Sequence, residues 1–267
     1  MKWVTGIILA VMVASSATGQ TTPLRKLDTD YSANIWKAVG RIDLGGRAMC
    51  SGTLIAKDLV LTAAHCLYQP GTDKLWPTES IVFRAGLRNG RAAATRTVKA
   101  AAAHAEFLPN EPLTERNVAH DVALLRLSEP ISSFEVPPFY LHDEQVRPGP
   151  VSVVSYGRGR SNVQSRQKEC QMLERFDDVL LFDCNVTFGS SGAPVFSHLN
   201  GRGRIISVVS GMMQIQGERR SVGMHLPERI TELKKQLRLQ IAPPKAVARR
   251  LKVGNARNRT GAKFVRP

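Results

Sequence analysis

A serine in a glycine-flanked turn is the residue best placed for chemistry in this sequence. Ser191 lies in the run Gly189-Ser190-Ser191-Gly192, with apolar residues on both sides. Glycine tolerates backbone angles that other residues avoid, so such a turn can expose a hydroxyl and direct backbone N–H groups toward one point. A serine hydroxyl is a weak nucleophile and needs a neighbouring base to take its proton. The question is whether the chain supplies that base, with a carboxylate to orient it.

A histidine and an aspartate occur in settings that suit those two roles. His65 follows the run Val60-Leu61-Thr62-Ala63-Ala64, and Asp121 precedes an apolar run over residues 122–127. We predict that Ser191 is the nucleophile, that His65 is its base, and that Asp121 orients His65 and stabilises the imidazolium formed during attack. Ser191 is preferred to Ser190 because it is the serine of the Gly-x-Ser-Gly spacing.

The other histidines lack the setting of His65; they are His104, His120, His142, His198 and His225. His120 adjoins Asp121, but neighbouring residues of a strand point to opposite faces. We therefore expect His120 to lie outside the site.

Three segments, Thr62-Ala63-Ala64-His65-Cys66, Asp121-Val122-Ala123-Leu124-Leu125 and Gly189-Ser190-Ser191-Gly192-Ala193-Pro194, resemble motifs of the trypsin/chymotrypsin-like serine proteases, most closely the bacterial secreted members. The order His, Asp, Ser matches that family, whereas subtilisin-type and α/β-hydrolase enzymes use other orders. The resemblance covers roughly residues 34–241. It implies an all-β fold of two packed six-stranded antiparallel β-barrels with a C-terminal α-helix, and peptide-bond hydrolysis through an acyl-enzyme, with no cofactor or metal.

The resemblance also assigns binding roles. The backbone N–H groups of Gly189 and Ser191 would form the oxyanion hole. Asn185, six residues before the nucleophile, would lie at the base of the specificity pocket, where trypsins carry an aspartate; an asparagine lacks that charge. Ser210 and Gly211 resemble the edge that pairs with the substrate backbone, and Gly223 would line the opposite wall. These residues leave the specificity open.

The N-terminal region departs from the animal trypsins. Those enzymes begin with a branched apolar pair and two glycines, and the new amino terminus released by cleavage pairs with an aspartate just before the nucleophile. This chain has no such start, and the residue before its nucleophile is Ser190. We therefore expect no activation by N-terminal insertion. Residues 20–33 are polar and are predicted to be a short pro-segment or the mature N-terminus.

The first residues have the organisation of an export signal. Lys2 supplies a positive charge, residues 6–14 form an apolar run, and Ala17-Thr18-Gly19 resembles a cleavage site. The run is shorter than the roughly 20 apolar residues that span a bilayer, although a membrane anchor is an alternative. Residues 1–19 are thus predicted to be a signal peptide, and the protein to be secreted or periplasmic.

Four cysteines in an exported chain indicate two disulfides. We expect each cysteine to pair with its neighbour in sequence, Cys50 with Cys66 and Cys170 with Cys184. In the resembled family the first pair straddles the histidine loop in the same way. A zinc site is the alternative, disfavoured because no C-x-x-C spacing is present.

Short apolar runs separated by turn residues predict strands and an all-β barrel or sandwich. These runs cover residues 39–42, 51–55, 59–62, 81–84, 122–127, 151–157, 179–182, 193–196 and 205–210. The proline-rich stretch 129–150 is predicted to connect two domains, 34–136 and 137–241. Residues 100–103, four consecutive alanines up to position 103, could form a helical turn.

Residues 227–241 have the clearest helical pattern, because Ile230, Leu233, Leu237 and Ile241 recur at helical spacing. Pro227 is acceptable in a first helical turn. We expect the apolar face of this helix to pack on the barrels, with partner binding as the alternative.

The formal net charge of +15 is unusual and suggests an acidic partner or surface. Eight of the positive charges, and no acidic residue, fall within residues 243–267. Residues 242–267 are therefore predicted to be a disordered tail that is either simply solvated or binds an anionic surface or polymer. No specific nucleic acid is indicated, and a monomer is expected.

Two other functions compete with that of a serine endopeptidase. The chain could be a weakly active or inactive protease-like protein that binds polyanions through its tail, but His65, Asp121 and Ser191 are all intact. An esterase is disfavoured because Gly189-Ser190-Ser191-Gly192 is not the Gly-x-Ser-x-Gly elbow, and strands and helices do not alternate around it.

Overall fold

Two closed antiparallel β-barrels of six strands each form the body of the computed structural model, which describes residues 21–142, 145–198 and 203–241. This confirms the predicted fold class. The predicted signal peptide at 1–19 and the predicted tail at 242–267 lie outside the described residues. The role of that tail and the domain boundaries at residues 34, 137 and 242 stay predictions.

The described chain contains thirteen β-strands and three α-helices. In order the strands are β1 (Leu24–Lys26), β2 (Val39–Leu44), β3 (Ala48–Ala56), β4 (Leu59–Thr62), β5 (Ile81–Ala85), β6 (Ala94–Ala103), β7 (Ala123–Leu127), β8 (Gly149–Ser155), β9 (Ser165–Phe176), β10 (Val179–Phe182), β11 (Pro194–Ser197), β12 (Arg204–Ile215) and β13 (Glu218–Met224). The α-helices are α1 (Asp30–Ala33), α2 (Glu115–His120) and α3 (Pro227–Ile241), and short 3₁₀ helices cover Asn34–Trp36, His65–Leu67 and Thr78–Ser80.

The first barrel has the strand order β2-β3-β4-β7-β6-β5 and closes where β2 pairs with β5. Alternate residues along its strands face inward, as a half-buried strand requires. In β5, for example, Ile81, Phe83 and Ala85 are buried, whereas Val82 and Arg84 are partly exposed. This alternation packs a continuous apolar core inside the barrel.

The second barrel has the order β8-β9-β10-β13-β12-β11 and closes where β11 pairs with β8. Strand β1 is added outside it, with Leu24 opposite Gln167 and Lys26 opposite Ser165 on β9. The described part of the N-terminal segment is therefore attached to the second barrel.

The connection between β7 and β8 is hydrogen-bonded to both barrels. The N–H of Phe139 donates to the carbonyl of Leu54 in the first barrel at 3.0 Å, and the N–H of Ile205 in the second donates to the carbonyl of Tyr140 at 2.9 Å. The Phe139 ring contacts Trp36 and Phe196, with ring centroids 5.7 and 4.6 Å away. This aromatic cluster helps to fix one barrel against the other.

Residues 100–103 form the end of strand β6 and not a helical turn, so that expectation was wrong. They pair with β7, Ala101 opposite Leu125 and Ala103 opposite Ala123. Alanine favours helices by well under 1 kcal/mol per residue over most residue types. A ladder of hydrogen bonds within a closed barrel outweighs that preference.

Helix α3 has the predicted bounds and packs its apolar face on the first barrel. Ile230, Leu233 and Leu237 are buried and belong to the same apolar core as the strands of that barrel. Of the helices in the described residues, none is long and apolar enough to cross a membrane.

Truncation of Leu233 tests this packing. We expect Leu233→Ala to lower the free energy of unfolding by about 2–5 kcal/mol, because it leaves a cavity beneath α3. Leu239→Ala is the matched control, since the Leu239 side chain is 71% exposed; it should change stability by no more than about 0.5 kcal/mol. Urea unfolding followed by circular dichroism measures both, and equal effects would contradict the burial of Leu233 against the first barrel.

Candidate active site

A cavity of about 630 Å³ lies between the two barrels, and His65 and Ser191 both line it. Its walls come from both barrels, with Met49 and Cys50 on one side and Val209 to Met212 on the other. The three residues predicted to perform chemistry converge here, although Asp121 lies behind His65 and does not face the cavity.

His65 begins the short 3₁₀ helix that follows β4. Its neighbour Cys66 is joined to Cys50 on β3 by a disulfide, one of the two pairs predicted from sequence. The other predicted pair, Cys170 with Cys184, is also present. The backbone of His65 is thereby held against β3 and cannot move independently of the barrel.

Asp121 is the C-cap of α2, and its carboxylate is only 2% exposed. One oxygen accepts the backbone N–H of His65 at 2.8 Å. The other accepts Nδ1–H of His65 at 2.7 Å and the hydroxyl of Ser210 at 2.5 Å. With Nδ1 donating to the carboxylate, Nε2 of His65 is left as the acceptor, which is the form a general base requires.

Two opposing effects act on the pKa of His65. Burial disfavours the charged imidazolium, but the negative charge of Asp121 and its hydrogen bond to the ring favour it. The net result raises the pKa of His65 above its ordinary value. The pairing thus makes the imidazole a stronger base and stabilises the protonated ring.

Ser191 and His65 line the same cavity, but no hydrogen bond joins them in the described structure. Among the described residues the Ser191 hydroxyl has no hydrogen-bond partner, and the polar contact of His65 Nε2 is Sγ of Cys66 at 3.8 Å. Bonds between a nucleophile and its base are often long in free enzymes and tighten when substrate binds. The arrangement leaves both groups facing the cavity and unengaged.

Two backbone N–H groups of the nucleophile turn are also left without partners in the described structure, those of Gly189 and Ser191. The intervening N–H of Ser190 donates to Thr187 O at 2.8 Å, and that of Gly192 donates to Val209 O at 2.8 Å. Gly189 has φ of +90°, a conformation that glycine adopts readily. This alternation of paired and unpaired donors is what an oxyanion-binding turn needs.

Ser51 of the first barrel holds the nucleophile turn of the second. Its N–H donates to Ser191 O and its hydroxyl donates to Gly189 O, both at 2.8 Å. Its hydroxyl in turn accepts the N–H of Tyr156 at 3.0 Å. One serine therefore fixes the carbonyls of Gly189 and Ser191, the two residues whose N–H groups are the candidate oxyanion donors.

Gly192 makes this close approach possible. Its φ is +74°, and a Cβ there would lie 2.1 Å from Oγ1 of Thr62 and 2.4 Å from the carbonyl oxygen of Ser51. Real side chains do not approach backbone atoms so closely. The second glycine of the motif is required by the packing of the two barrels as well as by the turn.

The structure brings only part of the expected substrate-binding set to the cavity. Ser210 and Gly211 line it. Asn185 is exposed and outside the lining. Gly223 is also outside it and is closely packed, since a Cβ added there would lie 2.3 Å from Val208 O. His225 also lies outside the lining; its N–H donates to Asp178 O at 2.8 Å.

Residues that sequence reasoning missed complete the lining. Arg158 and Phe188 lie at one side of the cavity, with the guanidinium carbon 4.3 Å from the centre of the Phe188 ring. Val186 also lines the cavity. Phe188 could have been found from its place just before Gly189, but nothing in the sequence near Arg158 marks that residue.

His120 lies outside the site, as expected, but for a different reason. It ends helix α2 and is not part of a strand. Its Nδ1–H donates to Arg116 O at 2.7 Å, and its ring lies against that of His104, 4.8 Å between centroids. Nε2 of His104 is bonded to Glu232 at 2.7 Å, so these histidines belong to a separate cluster near α3.

Two groups of metal-binding side chains occur in the described residues, Cys50 with His65 and Cys66, and Cys170 with Asp183 and Cys184. In each group the two sulfurs are joined as a disulfide. Neither group therefore offers the thiolates that a zinc ion would need.

Residues 50–206 match the family model described as a trypsin-like peptidase domain. That match includes His65, Asp121 and Ser191 and covers more than half of the chain.

Two curated relatives are similar over a shorter stretch. Serine protease 56 of Homo sapiens is 34% identical and that of Mus musculus 35% identical over 97 residues, which is 36% of this chain. The aligned stretch spans 14% of the length of each relative.

A solved structure titled "Structure of Glu endopeptidase in complex with MPD" superposes with a TM-score of 0.65. The superposed region covers 83% of this chain and 99% of that chain, at 15% sequence identity. At that identity the likeness shows the fold alone.

The coupling of His65 to Asp121 can be measured directly by NMR titration of the imidazole protons. We expect His65 to titrate above the ordinary histidine value and its pKa to fall in Asp121→Asn, because the carboxylate charge that favours the imidazolium is gone. His225 is the internal control: its pKa is lowered by burial and then by Arg175, so it should be the same in both proteins. A His65 pKa that Asp121→Asn leaves unchanged would contradict the pairing.

Proposed function

The chain belongs to the trypsin-like peptidase family, and from this we propose that it is a serine endopeptidase whose nucleophile, base and orienting carboxylate are Ser191, His65 and Asp121. The observation that carries the proposal is the buried Asp121 carboxylate, which binds Nδ1 of His65 at the edge of a cavity that Ser191 also lines. Polypeptides are accordingly the substrates.

The proposed first half-reaction forms an acyl-enzyme. Ser191 Oγ attacks the peptide carbonyl carbon while His65 Nε2 takes the hydroxyl proton. The N–H groups of Gly189 and Ser191 donate to the oxygen as it becomes negative. His65 then gives its proton to the leaving amine as the C–N bond breaks. The C-terminal fragment departs with the new amine, and the N-terminal fragment stays attached to Ser191 Oγ as an ester.

Water then hydrolyses the acyl-enzyme, and His65 again acts first as a base and then as an acid. His65 takes a proton from water as it attacks the ester carbon, and returns a proton to Ser191 Oγ when the carboxylic acid product leaves. In both halves Asp121 holds the ring and stabilises its protonated form. The hydroxyl of Ser210, 2.5 Å from the carboxylate, helps to keep Asp121 in place.

The lining of the cavity supports a substrate preference. Arg158 is the one permanently charged side chain among the described lining residues, and none of the described carboxylates pairs with it. Much of the remaining wall is apolar, including Val186, Val209 and Met212. We infer that the enzyme accepts an uncharged side chain in the apolar part and favours an acidic side chain within reach of Arg158.

A secreted or periplasmic location is part of this proposal. It is supported by the apolar N-terminal run in the sequence and by two disulfides in the described structure. Disulfides persist mainly outside the reducing cytosol.

Labelling by a fluorophosphonate probe tests the proposed nucleophile. The purified, disulfide-bonded protein should be labelled on Ser191, as located by peptide mapping. The rate constant for labelling should increase as the pH rises through the raised pKa of His65, because only the neutral imidazole can accept the proton.

Three variants serve as controls for the labelling. Ser191→Ala should not be labelled, His65→Ala should be labelled at least about a hundredfold more slowly, and Ser133→Ala, at an exposed serine, should behave like wild type. Labelling that persists in Ser191→Ala, or a folded wild-type protein that no probe labels, would overturn the proposed function.

The proposed role of Arg158 predicts a charge-dependent specificity. The test uses matched peptides that carry glutamate or glutamine at one position on either side of the scissile bond. At the position whose side chain reaches Arg158, kcat/KM should be about two- to fivefold higher for glutamate, because an exposed ion pair is worth up to about 1 kcal/mol. Arg158→Gln should abolish that preference. Arg91→Gln, a charge-matched change at an exposed residue outside the cavity, should keep it; a preference lost in both variants, or in neither, would contradict the role of Arg158.

A further inference from the structure

A guanidinium group lies behind the nucleophile turn, on the side away from the cavity. Arg160 Nη1 donates to Ser155 O at 2.6 Å, and Nη2 donates to Ser155 Oγ and Ser190 Oγ, both at 3.0 Å. The group therefore joins the end of strand β8 to the residue between Gly189 and Ser191.

This cation has neutral partners only. Among the described residues no carboxylate lies within ion-pair distance of Arg160. Burial lowers the pKa of Arg160 to about 10, which still leaves it charged at neutral pH. Withdrawing a charge from water without an opposite charge is unfavourable, so its hydrogen bonds must offset that cost.

Ser190 is the point at which the guanidinium acts on the turn. The side chain is fully buried, and its hydroxyl oxygen also accepts the N–H of Thr187 at 3.2 Å and lies 3.2 Å from Tyr156 O, to which it can donate. Three groups, the Arg160 guanidinium, the Thr187 N–H and the Tyr156 carbonyl, thus meet at one oxygen in the centre of the turn. Any rotation of the Ser190 peptide units would have to break these bonds.

Space for the guanidinium is provided by Gly157. A Cβ there would lie 2.8 Å from Arg160 Nη2 and 2.7 Å from Thr187 Cγ2. Gly157 in turn contacts Gly189, since a Cβ on Gly189 would lie 3.2 Å from Gly157 Cα. The guanidinium, the glycine beneath it and the candidate oxyanion turn are therefore packed as one unit.

The N-terminal segment takes no part in this arrangement. In the described structure it runs along the outside of the second barrel as β1, with Arg25 opposite Arg166 on β9. In the described structure the cationic group that reaches Ser190 is the Arg160 guanidinium.

We propose that Arg160 is a positioning residue: by holding Ser190 it keeps the N–H groups of Gly189 and Ser191 directed toward the cavity, so that the site is formed without cleavage of the N-terminus. The inference rests on the proposed function for its consequence in catalysis. Its structural part, the ordering of residues 187–192, does not depend on turnover.

Kinetic measurements test the consequence. Arg160→Met keeps much of the side-chain volume but removes the charge and the donors; we expect kcat to fall by about tenfold to a hundredfold, with KM changed less than about twofold, because the oxyanion donors act in the transition state. Ser190→Ala should have a similar effect, and the double variant should be little worse than either single one, because both changes break one interaction.

Chemical rescue separates positioning from general damage. Guanidinium chloride at low millimolar concentration should restore part of the kcat of Arg160→Ala, whereas tetramethylammonium should not, because only a planar donor can bridge Ser155 and Ser190. Arg91→Met is the control for loss of one positive charge at an exposed site and should retain wild-type kcat.

Amide hydrogen exchange tests the structural part whether or not the protein turns over. Exchange in residues 187–192 should be faster in Arg160→Met, with little change in the first barrel. A protein that fails the labelling test but shows this local change would overturn the proposed function and support the role of Arg160. Wild-type kcat and unchanged exchange in Arg160→Met would overturn the role of Arg160 and leave the proposed function standing.

Discussion

The buried carboxylate of Asp121 is the constraint on which the rest of the structure depends. A carboxylate this far from water must have its oxygens hydrogen-bonded, because an unpaired buried charge is very costly. The donors come from both barrels, His65 from the first and Ser210 from the second. A shift of one barrel relative to the other would break the Ser210 hydrogen bond to this carboxylate, so the packing of the barrels and the geometry of the site are coupled.

The same coupling recurs at the nucleophile turn, where Ser51 of the first barrel binds the carbonyls of Gly189 and Ser191 in the second. Gly192 is needed because the turn lies against Thr62 and the Ser51 carbonyl. The contacts that hold the two barrels together at this interface, called the seam below, are thus also the contacts that position the nucleophile turn. A substitution here would be expected to affect both.

The sequence was sufficient to predict the features that have local signals. The fold class, helix α3 and both cysteine pairs follow from periodicity, spacing and the resemblance of three short motifs. Strands β6, β9 and β13 were missed because their sequences are rich in charged residues or alanine, and only pairing within a closed barrel makes them strands. Asn185 was placed in the pocket by counting from Ser191 without gaps, and it lies outside the cavity lining. Arg158 and Arg160 could not be found from sequence, since an isolated arginine in a loop is usually a solvated surface residue.

Both disulfides are confined within a single barrel and close short loops, with sequence separations of 16 and 14. No cystine in the described residues crosses the seam, so the only covalent tie between the barrels is the main chain that joins β7 to β8. Each barrel can acquire its own covalent link before the other has formed. The interface between the barrels, by contrast, is held by noncovalent contacts, among them the hydrogen bonds of Ser51 and Ser210. Neither disulfide therefore restrains one barrel against the other, and loss of the contacts between the barrels would abolish the site without breaking a covalent bond.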